Sequence, residues 1–434
     1  MNRGFYTVMA AQFFSSLADN ALLIAAIALL MQLHGPAWMT PLLKFFFTVS
    51  YVVLAAFVGT FADSMPKGKV MFITNAIKIV GCALMFFYDY FALPGIDSHE
   101  VVLASYAVVG LGAAAYSPAK YGILTEMLPP RQLVIANGWI EGLTVASIII
   151  GTVLGGALIS PGISSMLLSI DIPSIDTGVD TPPEAAILVI SAFYLIAAIF
   201  NLHIPDTGAR YHHQPRNPVV MIRDFVGCFI ALWRDKLGQI SLAVTTLFWG
   251  AGATLQFIVL RWAERNLEMP LSQGAVLQGI VALGVALGAV LAGRLVPLKK
   301  SLHVLPVGVA MGITVITMIF VTWLPLVYFL LILVGALAGF FVVPMNALLQ
   351  HRGHVLLSAG HSIAVQNFNE NLNILLMLGL YALMIHADFH INTIIVMFGA
   401  FVSLTMLLVI KRHKNNQRRE DSLHLIGMEK RQAP

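Results

Sequence analysis

The segment Pro205-Asp-Thr-Gly-Ala-Arg210-Tyr-His-His-Gln-Pro215-Arg-Asn-Pro218 decides how this chain is organised. It is a polar, proline-rich interruption in a sequence of 434 residues that is 58% hydrophobic and only 11% charged. A soluble fold with so little charge would expose large apolar patches and aggregate. The composition therefore excludes a soluble enzyme, a nucleic-acid-binding protein and a disordered scaffold, and it indicates a membrane protein with many spans.

Apolar runs long enough to cross a bilayer, roughly 20 residues each, lie on both sides of this segment. The predicted spans are 6–32, 41–62, 70–92, 101–127, 132–159, 184–203, 238–263, 272–297, 302–323, 325–349, 356–386 and 390–410. This pattern predicts an all-α membrane protein with twelve transmembrane helices in two six-helix bundles. The predicted domains are an N-terminal bundle (1–203), a cytoplasmic linker (204–222), a C-terminal bundle (223–411) and a basic cytoplasmic tail (412–434).

Lysine and arginine collect at one set of span ends, as the positive-inside rule expects of the cytoplasmic side. All but five of the 25 basic residues lie at those ends or in the tail. The exceptions are Arg261 and Arg265 at the opposite ends, and Lys44, Lys78 and Lys120 inside the predicted spans. Both termini are therefore predicted to be cytoplasmic.

The two halves of the chain are weakly similar in sequence. Gly110-Leu-Gly-Ala-Ala-Ala-Tyr116-Ser-Pro118 in the fourth span corresponds to Gly335-Ala-Leu-Ala-Gly-Phe-Phe-Val-Val-Pro344 in the tenth. Each is followed by a basic turn and then by a helix that opens with a small residue beside a glycine. Two six-helix bundles joined by a cytoplasmic linker resemble the major facilitator superfamily, whose substrate sites are expected between the halves near the bilayer midplane.

A second resemblance to that superfamily lies between spans two and three, in Gly59-Thr-Phe-Ala-Asp63-Ser-Met-Pro-Lys67-Gly-Lys69. The pattern is a glycine, an aspartate four residues later, and basic residues around a second glycine. An aspartate at a helix end can hold the N-terminus of a facing helix, while the lysines stay in the cytoplasm. We therefore expect Asp63, Lys67 and Lys69 to act in gating; the alternative is a solvated turn with topology charges.

Ionisable side chains inside the membrane are the first functional candidates, because each costs about 3 kcal/mol at mid-bilayer on insertion scales. With a rise of about 1.5 Å per residue, Asp19 lies roughly 20 Å into the first span, next to Asn20. Glu141 lies about 15 Å into the fifth span, with Asn137 on the same helical face. The alternative for each carboxylate is a buried structural pair or an inter-helix hydrogen bond.

Lys120 follows Tyr116 and Pro118 in the fourth span, and it needs a counter-charge, for which Asp19, Glu126 and Glu141 are candidates. Because a lysine at this depth can also snorkel to the surface, a structural role weighs equally. Lys44 and Lys78 rank lower: the first lies near an outer end, and the second lies in a span that is expected to be peripheral.

The eleventh span carries the densest polar cluster, in which Gln366, Asn367 and Glu370 stand out. So many polar groups in an apolar helix predict a wet cavity or tight contacts between the halves. Trp249 and Gln256 in the seventh span are further candidates, although packing is the better interpretation of Trp249 alone. A few charges among apolar walls suit an amphiphile with a charged head and an acyl tail; a drug pump would use a similar mixture.

Several strings resemble the bacterial lysophospholipid transporter family, a group of major-facilitator proteins of the Gram-negative inner membrane. They are Phe13–Asn20, Gly112–Leu124, Leu247–Gly252, Gly339–Gln350 and Ala364–Asn367. The resemblance extends over nearly the whole chain. It implies movement of lysophosphatidylethanolamine and lysophosphatidylglycerol from the outer to the inner leaflet, where a lysophospholipid acyltransferase/acyl-carrier-protein synthetase re-acylates them.

The same resemblance implies that Asp19, Asn20, Lys120, Glu141 and Glu370 lie in or beside a head-group cavity. A zwitterionic ethanolamine phosphate needs an anion for its amine and a cation for its phosphate. Asp19 and Lys120 are expected to supply them, while the tail remains in lipid through a gap between helices.

The sequence departs from the family or superfamily pattern at three positions. Gln256 stands where the family has a basic residue, Ala107 where the superfamily has an arginine, and Thr152 where antiporters have a proline. The last two argue against ordinary proton antiport. The missing arginine at Ala107 and the fourth-span string Gly112–Leu124 favour a lysophospholipid flippase over the main alternative, a cation-coupled multidrug exporter of the same fold.

An integral-membrane acyltransferase is a third possibility, and it is rejected on the motifs. No histidine is followed by aspartate five residues later, and no Gly-x-Ser-x-Gly elbow is present. The histidines and the two cysteines lack metal-ligand spacing, so no cofactor or metal is predicted. The predicted partners are the lysophospholipid, membrane lipid and a functional link to the acyltransferase, with no nucleic acid and a monomeric state.

Overall fold

The computed structural model describes residues 3–35, 39–91, 97–169, 179–209, 211, 217–269 and 271–427. Parts of the predicted linker (204–222) and tail (412–434) lie outside the described residues. The described chain is helical, with no β-strand. Its α-helices are α1 (Arg3–Gln32), α2 (Met39–Val53), α3 (Ala55–Asp63), α4 (Lys67–Phe86), α5 (Tyr88–Phe91), α6 (Ser98–Met127), α7 (Leu133–Ile159), α8 (Pro161–Leu168), α9 (Pro182–Leu202), α10 (Pro218–Arg234), α11 (Gly238–Asn266), α12 (Leu271–Leu295), α13 (Leu305–Thr317), α14 (Leu324–Leu356), α15 (Ala359–His386) and α16 (Ile391–Arg419).

The predicted all-α membrane fold is confirmed. Among the described residues, eleven helical segments are long and apolar enough to cross a membrane, and a bent pair makes up to twelve. The bent pair is the predicted span 41–62, which consists of Leu42–Val53 and Ala55–Asp63 meeting at 65°. The ninth span is also shorter as an α-helix than expected, since α13 is flanked by the 3₁₀ segments Leu298–Val304 and Met318–Phe320.

Helix α10 is an element that the sequence analysis missed. It begins at Pro218, and the side chain of Asn217 caps it by accepting a hydrogen bond from the Val219 N–H at 2.9 Å. Asparagine followed by proline is a helix start signal, because proline at the first position loses no intrahelical bond. Phe225 of α10 packs edge-on against Phe368 of α15, with 5.5 Å between the ring centroids.

The chain forms two compact units. The first consists of Met1–Ile123 and Ala146–Pro215, and the second of Leu124–Val145 and Arg216–Pro434. The first half of α7 thus packs with the second unit, where a Cβ at Gly138 would lie 3.1 Å from the carbonyl oxygen of Ala289. The bundle boundaries at 203 and 223 remain a prediction.

Glycines set the distance between helices in the first unit. A Cβ at Gly151 would lie 2.6 Å from the carbonyl oxygen of Leu17, and one at Gly155 would lie 2.7 Å from that of Ala21. The second half of α7 therefore approaches α1 at backbone contact, next to Asp19. The glycines of the fifth span have a packing role here, whichever transport mechanism the chain uses.

Glycines also bring two helices of the second unit into close contact. A Cβ at Gly288 of α12 would lie 2.0 Å from the Ala336 carbonyl oxygen, and one at Gly335 of α14 would lie 2.1 Å from that of Val281. Gly284 and Gly339, four residues from these two, are equally close to the facing helix. Two facing small-x-x-x-small patterns let the backbones meet, and membrane helices use this packing in place of a hydrophobic driving force.

The tail folds back on the second unit as far as the structure describes it. The backbone N–H of Gly427 donates to Nε2 of His351 at 2.9 Å, and Glu420 accepts a hydrogen bond from Lys236. That bond and the charge of Lys236 lower the pKa of the Glu420 carboxyl. The carboxylate is exposed to solvent, so the ion pair contributes little to stability.

We expect Gly288→Ala to destabilise the protein, because its methyl group would overlap the Ala336 carbonyl and overpacking costs about 1–3 kcal/mol. Gly279→Ala on the same helix is the matched control, since a Cβ there meets nothing within 4 Å. Thermal unfolding of the purified proteins in detergent gives the readout. Equal transition temperatures for the two variants would contradict the packing account.

Candidate functional site

A buried ion pair lies in the interior of the first unit. Nζ of Lys78, on α4, donates to both carboxylate oxygens of Asp19, on α1, at 2.8 and 2.9 Å. The Lys78 side chain is 1% exposed and that of Asp19 is 20% exposed. The Asp19 carboxylate is therefore the accessible end of the pair.

Three further side chains complete the network around this pair. The hydroxyl of Tyr194 donates to Asp19 Oδ1 at 2.7 Å. Ser15 accepts from Lys78 Nζ at 3.1 Å and donates to Oδ1 of Asn75 at 2.8 Å. Charges taken out of water must be paired and hydrogen-bonded to be tolerated, and this network provides both.

Helix packing explains why these residues meet. Helix α9, which carries Tyr194, packs against both α1 and α4. The i, i+4 spacing of Ser15 and Asp19 places both on one face of α1, and Asn75 and Lys78 share a face of α4 by i, i+3 spacing. The face of α4 that carries Asn75 and Lys78 is therefore buried inside the first unit.

The other predicted residues of the first unit take different positions. Tyr116 is buried, with its ring centroid 5.1 Å from Lys78 Nζ, a cation–π distance. The ammonium of half-buried Lys120 lies 4.2 Å from the ring centroid of Tyr121. The side chain of Asn20 donates to the carbonyl oxygen of Ser16 on its own helix.

A second polar chain lies in the second unit. Nδ2 of Asn346, on α14, donates to Glu141 Oε1 at 3.2 Å. Nε2 of Gln366, on α15, donates to Asn346 Oδ1 at 3.0 Å and to Glu370 Oε1 at 2.7 Å. Two buried carboxylates are thus connected through two amides, and all four residues are at most 6% exposed.

Asn137 extends this arrangement by one helical turn of α7. Its side chain and that of Gln350 exchange two hydrogen bonds, each of 2.9 Å. Reciprocal amide pairs satisfy both groups at once, which suits buried positions at 0% and 1% exposure. The structure therefore brings Asn137, Glu141, Gln366 and Glu370 into one hydrogen-bonded region.

Three further predicted residues of the second unit make other contacts. Gln256 is exposed and pairs with Gln278 of α12, donating to its Oε1 at 3.0 Å. Trp249 is half-buried and packs edge-on against Phe248. Asn367 is buried, and its backbone carbonyl oxygen accepts a hydrogen bond from Nδ2 of Asn371.

The loop motif is built around a buried ion pair. Lys67 donates to Asp63 Oδ1 and to the carbonyl oxygen of Ala62, which closes the turn between α3 and α4. The ring of Tyr211, in the linker, lies 4.9 Å from Lys67 Nζ. Lys69 is exposed. The gating role predicted for Asp63, Lys67 and Lys69 remains a prediction.

Sequence reasoning missed the partners of Asp19. Lys78 was ranked below Lys120, and neither Tyr194 nor Ser15 was singled out. The available signal was depth: Lys78 lies in the middle of an apolar span, too far from either end to snorkel easily. A buried cation of this kind requires an anion, and Asp19 is the carboxylate at a similar depth.

Solved structures of membrane transporters share this fold. The structure resembles a bacterial homologue of the iron transporter ferroportin (TM-score 0.72, 13% identity, 96% of this chain and 100% of that one). It also resembles the E. coli fucose:proton symporter FucP (TM-score 0.71, 14% identity, 95% and 99%). The model of the Major Facilitator Superfamily matches residues 8–378. The fold is that of a major-facilitator membrane transporter, as the sequence predicted.

Closer relatives narrow this class. The lysophospholipid transporter LplT of Yersinia enterocolitica is 41% identical over 388 residues, which cover 89% of this chain and 88% of the relative. LplT of Yersinia pestis is 41% identical over 386 residues, covering 89% and 87%. The chain belongs to the Major Facilitator Superfamily and, within it, to the family of these LplT proteins. The family resemblance found in the sequence is confirmed.

We expect the Asp19–Lys78 pair to behave as one unit in unfolding experiments. Asp19→Asn or Lys78→Met leaves a buried charge without its partner, which costs about 3–5 kcal/mol. The double variant removes both charges and should cost much less than the sum of the two. Thermal unfolding of the four proteins in detergent measures this coupling.

Asp97→Asn is the control for removing a carboxylate, because the Asp97 side chain is 76% exposed. It should leave the transition temperature unchanged. Additive effects of Asp19→Asn and Lys78→Met would show that the two side chains are not energetically coupled.

Proposed function

We propose that this protein is a lysophospholipid flippase that works by alternating access. It moves lysophosphatidylethanolamine and lysophosphatidylglycerol from the outer to the inner leaflet of the Gram-negative inner membrane, with both termini in the cytoplasm. The substrate class is supported by the LplT relatives, lysophospholipid transporters that are 41% identical to this chain. The two head groups, the direction and the inner membrane are those that the family resemblance implies, and the distribution of basic residues supports cytoplasmic termini.

The observation that carries the proposal is the Asp19–Lys78 pair. The pair is neutral as a whole, and so is the zwitterionic head group of lysophosphatidylethanolamine. In a partner exchange, the ammonium group of the lipid pairs with Asp19 and its phosphate pairs with Lys78. The site then stays neutral at every stage. Such an exchange avoids an uncompensated buried charge, which is the main cost of moving a charged head group through a membrane protein.

The accessible end of the pair fits this order of events. Asp19 is the more exposed partner, so the substrate amine can reach it before Lys78 is released. Tyr194 donates to the same carboxylate and would hold it in place during the exchange. In this proposal Asn20, Tyr116 and Lys120 line the approach, and Lys120 supplies a further positive charge for the anionic lysophosphatidylglycerol.

The acyl tail requires an apolar path, and one groove of the second unit suits it. A cavity of about 380 Å³ lies between α7 and α12, lined by Ile135, Trp139, Val290 and other apolar residues, with Arg294 at one end. An aliphatic chain fits such walls, because its burial is favourable and needs no polar partner. We propose that this groove accommodates acyl tails; a head-group role for the polar chain from Glu141 to Glu370 remains a prediction.

The remaining parts of the proposal concern partners. The protein catalyses no reaction and needs no cofactor; the delivered lysophospholipid is re-acylated by a lysophospholipid acyltransferase/acyl-carrier-protein synthetase at the cytoplasmic face. The transporter acts as a monomer, and its surroundings are membrane lipid. This places it in phospholipid remodelling.

The experiment uses purified protein in proteoliposomes. Lysophosphatidylethanolamine is added to one leaflet, and its appearance in the other is followed for the wild type, Asp19→Asn and the Asp19→Asn/Lys78→Met double variant. We expect transport by the wild type and loss of at least tenfold in both variants, since neither can exchange partners with a zwitterion. The double variant removes both charges and is expected to stay folded, which thermal unfolding checks, and Asp97→Asn controls for the loss of a carboxylate.

Two results would contradict the proposal. Normal transport by the double variant would remove the ion pair from the mechanism. No lipid transport by the wild type, together with collapse of a cationic drug gradient, would favour the multidrug exporter instead.

A further inference from the structure

Two buried hydrogen-bond donors next to Lys78 have no acceptor among the described residues. They are Nδ2 of Asn75 and the hydroxyl of Tyr116. Asn75 is 0% exposed and Tyr116 is 4% exposed. Buried donors are almost always paired, so two orphans at one place point to a ligand that supplies acceptors.

Both donors belong to the surroundings of the same ammonium. Asn75 precedes Lys78 by three residues on α4. Its Oδ1 accepts a hydrogen bond from the Ser15 hydroxyl, which in turn accepts one from Lys78 Nζ. The Asn75 amide is therefore held in one orientation, in which its Nδ2 donor has no acceptor among the described residues. The ring of Tyr116 lies 5.1 Å from Lys78 Nζ.

Helix packing holds Tyr116 on this side of α6. Gly112, one turn earlier on the same face, lies against α4: a Cβ there would be 2.8 Å from Lys78 Cγ and 2.9 Å from the Thr74 carbonyl oxygen. No larger residue fits at that contact without moving α6 away from α4. The close approach brings the Tyr116 ring to Lys78.

The chemistry of the three groups selects one class of ligand. An ammonium, an amide N–H and a phenol O–H are all donors, and together they suit an oxyanion with several acceptor oxygens. Hydrogen bonds to a charged acceptor are the strong ones. A carboxylate, Asp19, already pairs with Lys78, and the two unpaired donors are more deeply buried than Asp19.

We propose that Asn75, Tyr116 and Lys78 form a phosphate cradle for the substrate head group. This inference rests on the proposed function and assigns the phosphate to Lys78 and its two neighbours, rather than to Lys120. The phosphate diester of the lysophospholipid accepts from Tyr116 Oη and Asn75 Nδ2 when Lys78 leaves Asp19. The same chemistry would also suit free inorganic phosphate, so the experiment separates the two sources.

The experiment measures equilibrium binding of radiolabelled lysophosphatidylethanolamine to purified full-length protein in nanodiscs. Tyr116→Phe removes the orphan hydroxyl and nothing else. We expect it to weaken lysophosphatidylethanolamine binding about tenfold, by the loss of one charge-assisted hydrogen bond. Monoacylglycerol, which has the tail without the phosphate, should bind both proteins equally.

Thermal unfolding without lipid separates binding from structure. Tyr116→Phe should leave the transition temperature unchanged or raised, because an unpaired buried donor is removed. Tyr194→Phe is the matched control, since it removes a hydroxyl that is bonded to Asp19, and it should lower the transition temperature. Asn75→Asp keeps the acceptor for Ser15 but turns the donor toward the phosphate into an acceptor, so it should weaken lipid binding more than Tyr116→Phe does.

The results that would overturn the cradle, the lipid assignment or the proposed function differ from one another. Unchanged lysophosphatidylethanolamine binding by Tyr116→Phe, or an equal loss for monoacylglycerol, would overturn the cradle while leaving the proposed function in place. Inorganic phosphate that binds the wild type, and is lost in Tyr116→Phe while lipid binding is kept, would overturn the lipid assignment. A wild type that binds no lysophosphatidylethanolamine would overturn the cradle and the proposed function together.

Discussion

The structure of the first unit depends on burying one ion pair inside a bundle of apolar helices. Asp19 and Lys78 lie 2.8 Å apart on different helices, and each would be too costly alone at this depth. The pair therefore fixes which face of α1 meets which face of α4, and Tyr194 brings α9 to the same point. The residues around it, Ser15 and Asn75, satisfy the remaining hydrogen bonds without adding charge.

Close helix packing makes this pair possible. Gly112 allows α6 to approach α4 beside Lys78, and Gly151 allows α7 to approach α1 beside Asp19. In the second unit the same principle joins α12 to α14 through paired glycines. Small residues therefore hold these helices together by backbone contact.

Composition, span length and charge distribution were enough to predict the helical membrane fold. Asp19 and Glu141 could be found from their depth, and Glu370 from the polar cluster around it, because a carboxylate in an apolar helix is energetically costly. Their partners could not, since pairing depends on which helices are neighbours. Lys78 was undervalued because α4 was expected to be peripheral, and α10 was missed because its polar start was assigned to the linker. Gln256 was a further candidate of the seventh span; its side chain pairs with Gln278, and a site role for it stays a prediction.

The most direct test of this account is an experimental structure of the protein with bound lysophosphatidylethanolamine. The account predicts that the head-group amine lies at the Asp19 carboxylate and that phosphate oxygens lie within about 3 Å of Lys78 Nζ and the Tyr116 hydroxyl. The direct contact between Asp19 and Lys78 should then be broken. A head group bound elsewhere, with the two side chains still 2.8 Å apart, would contradict it.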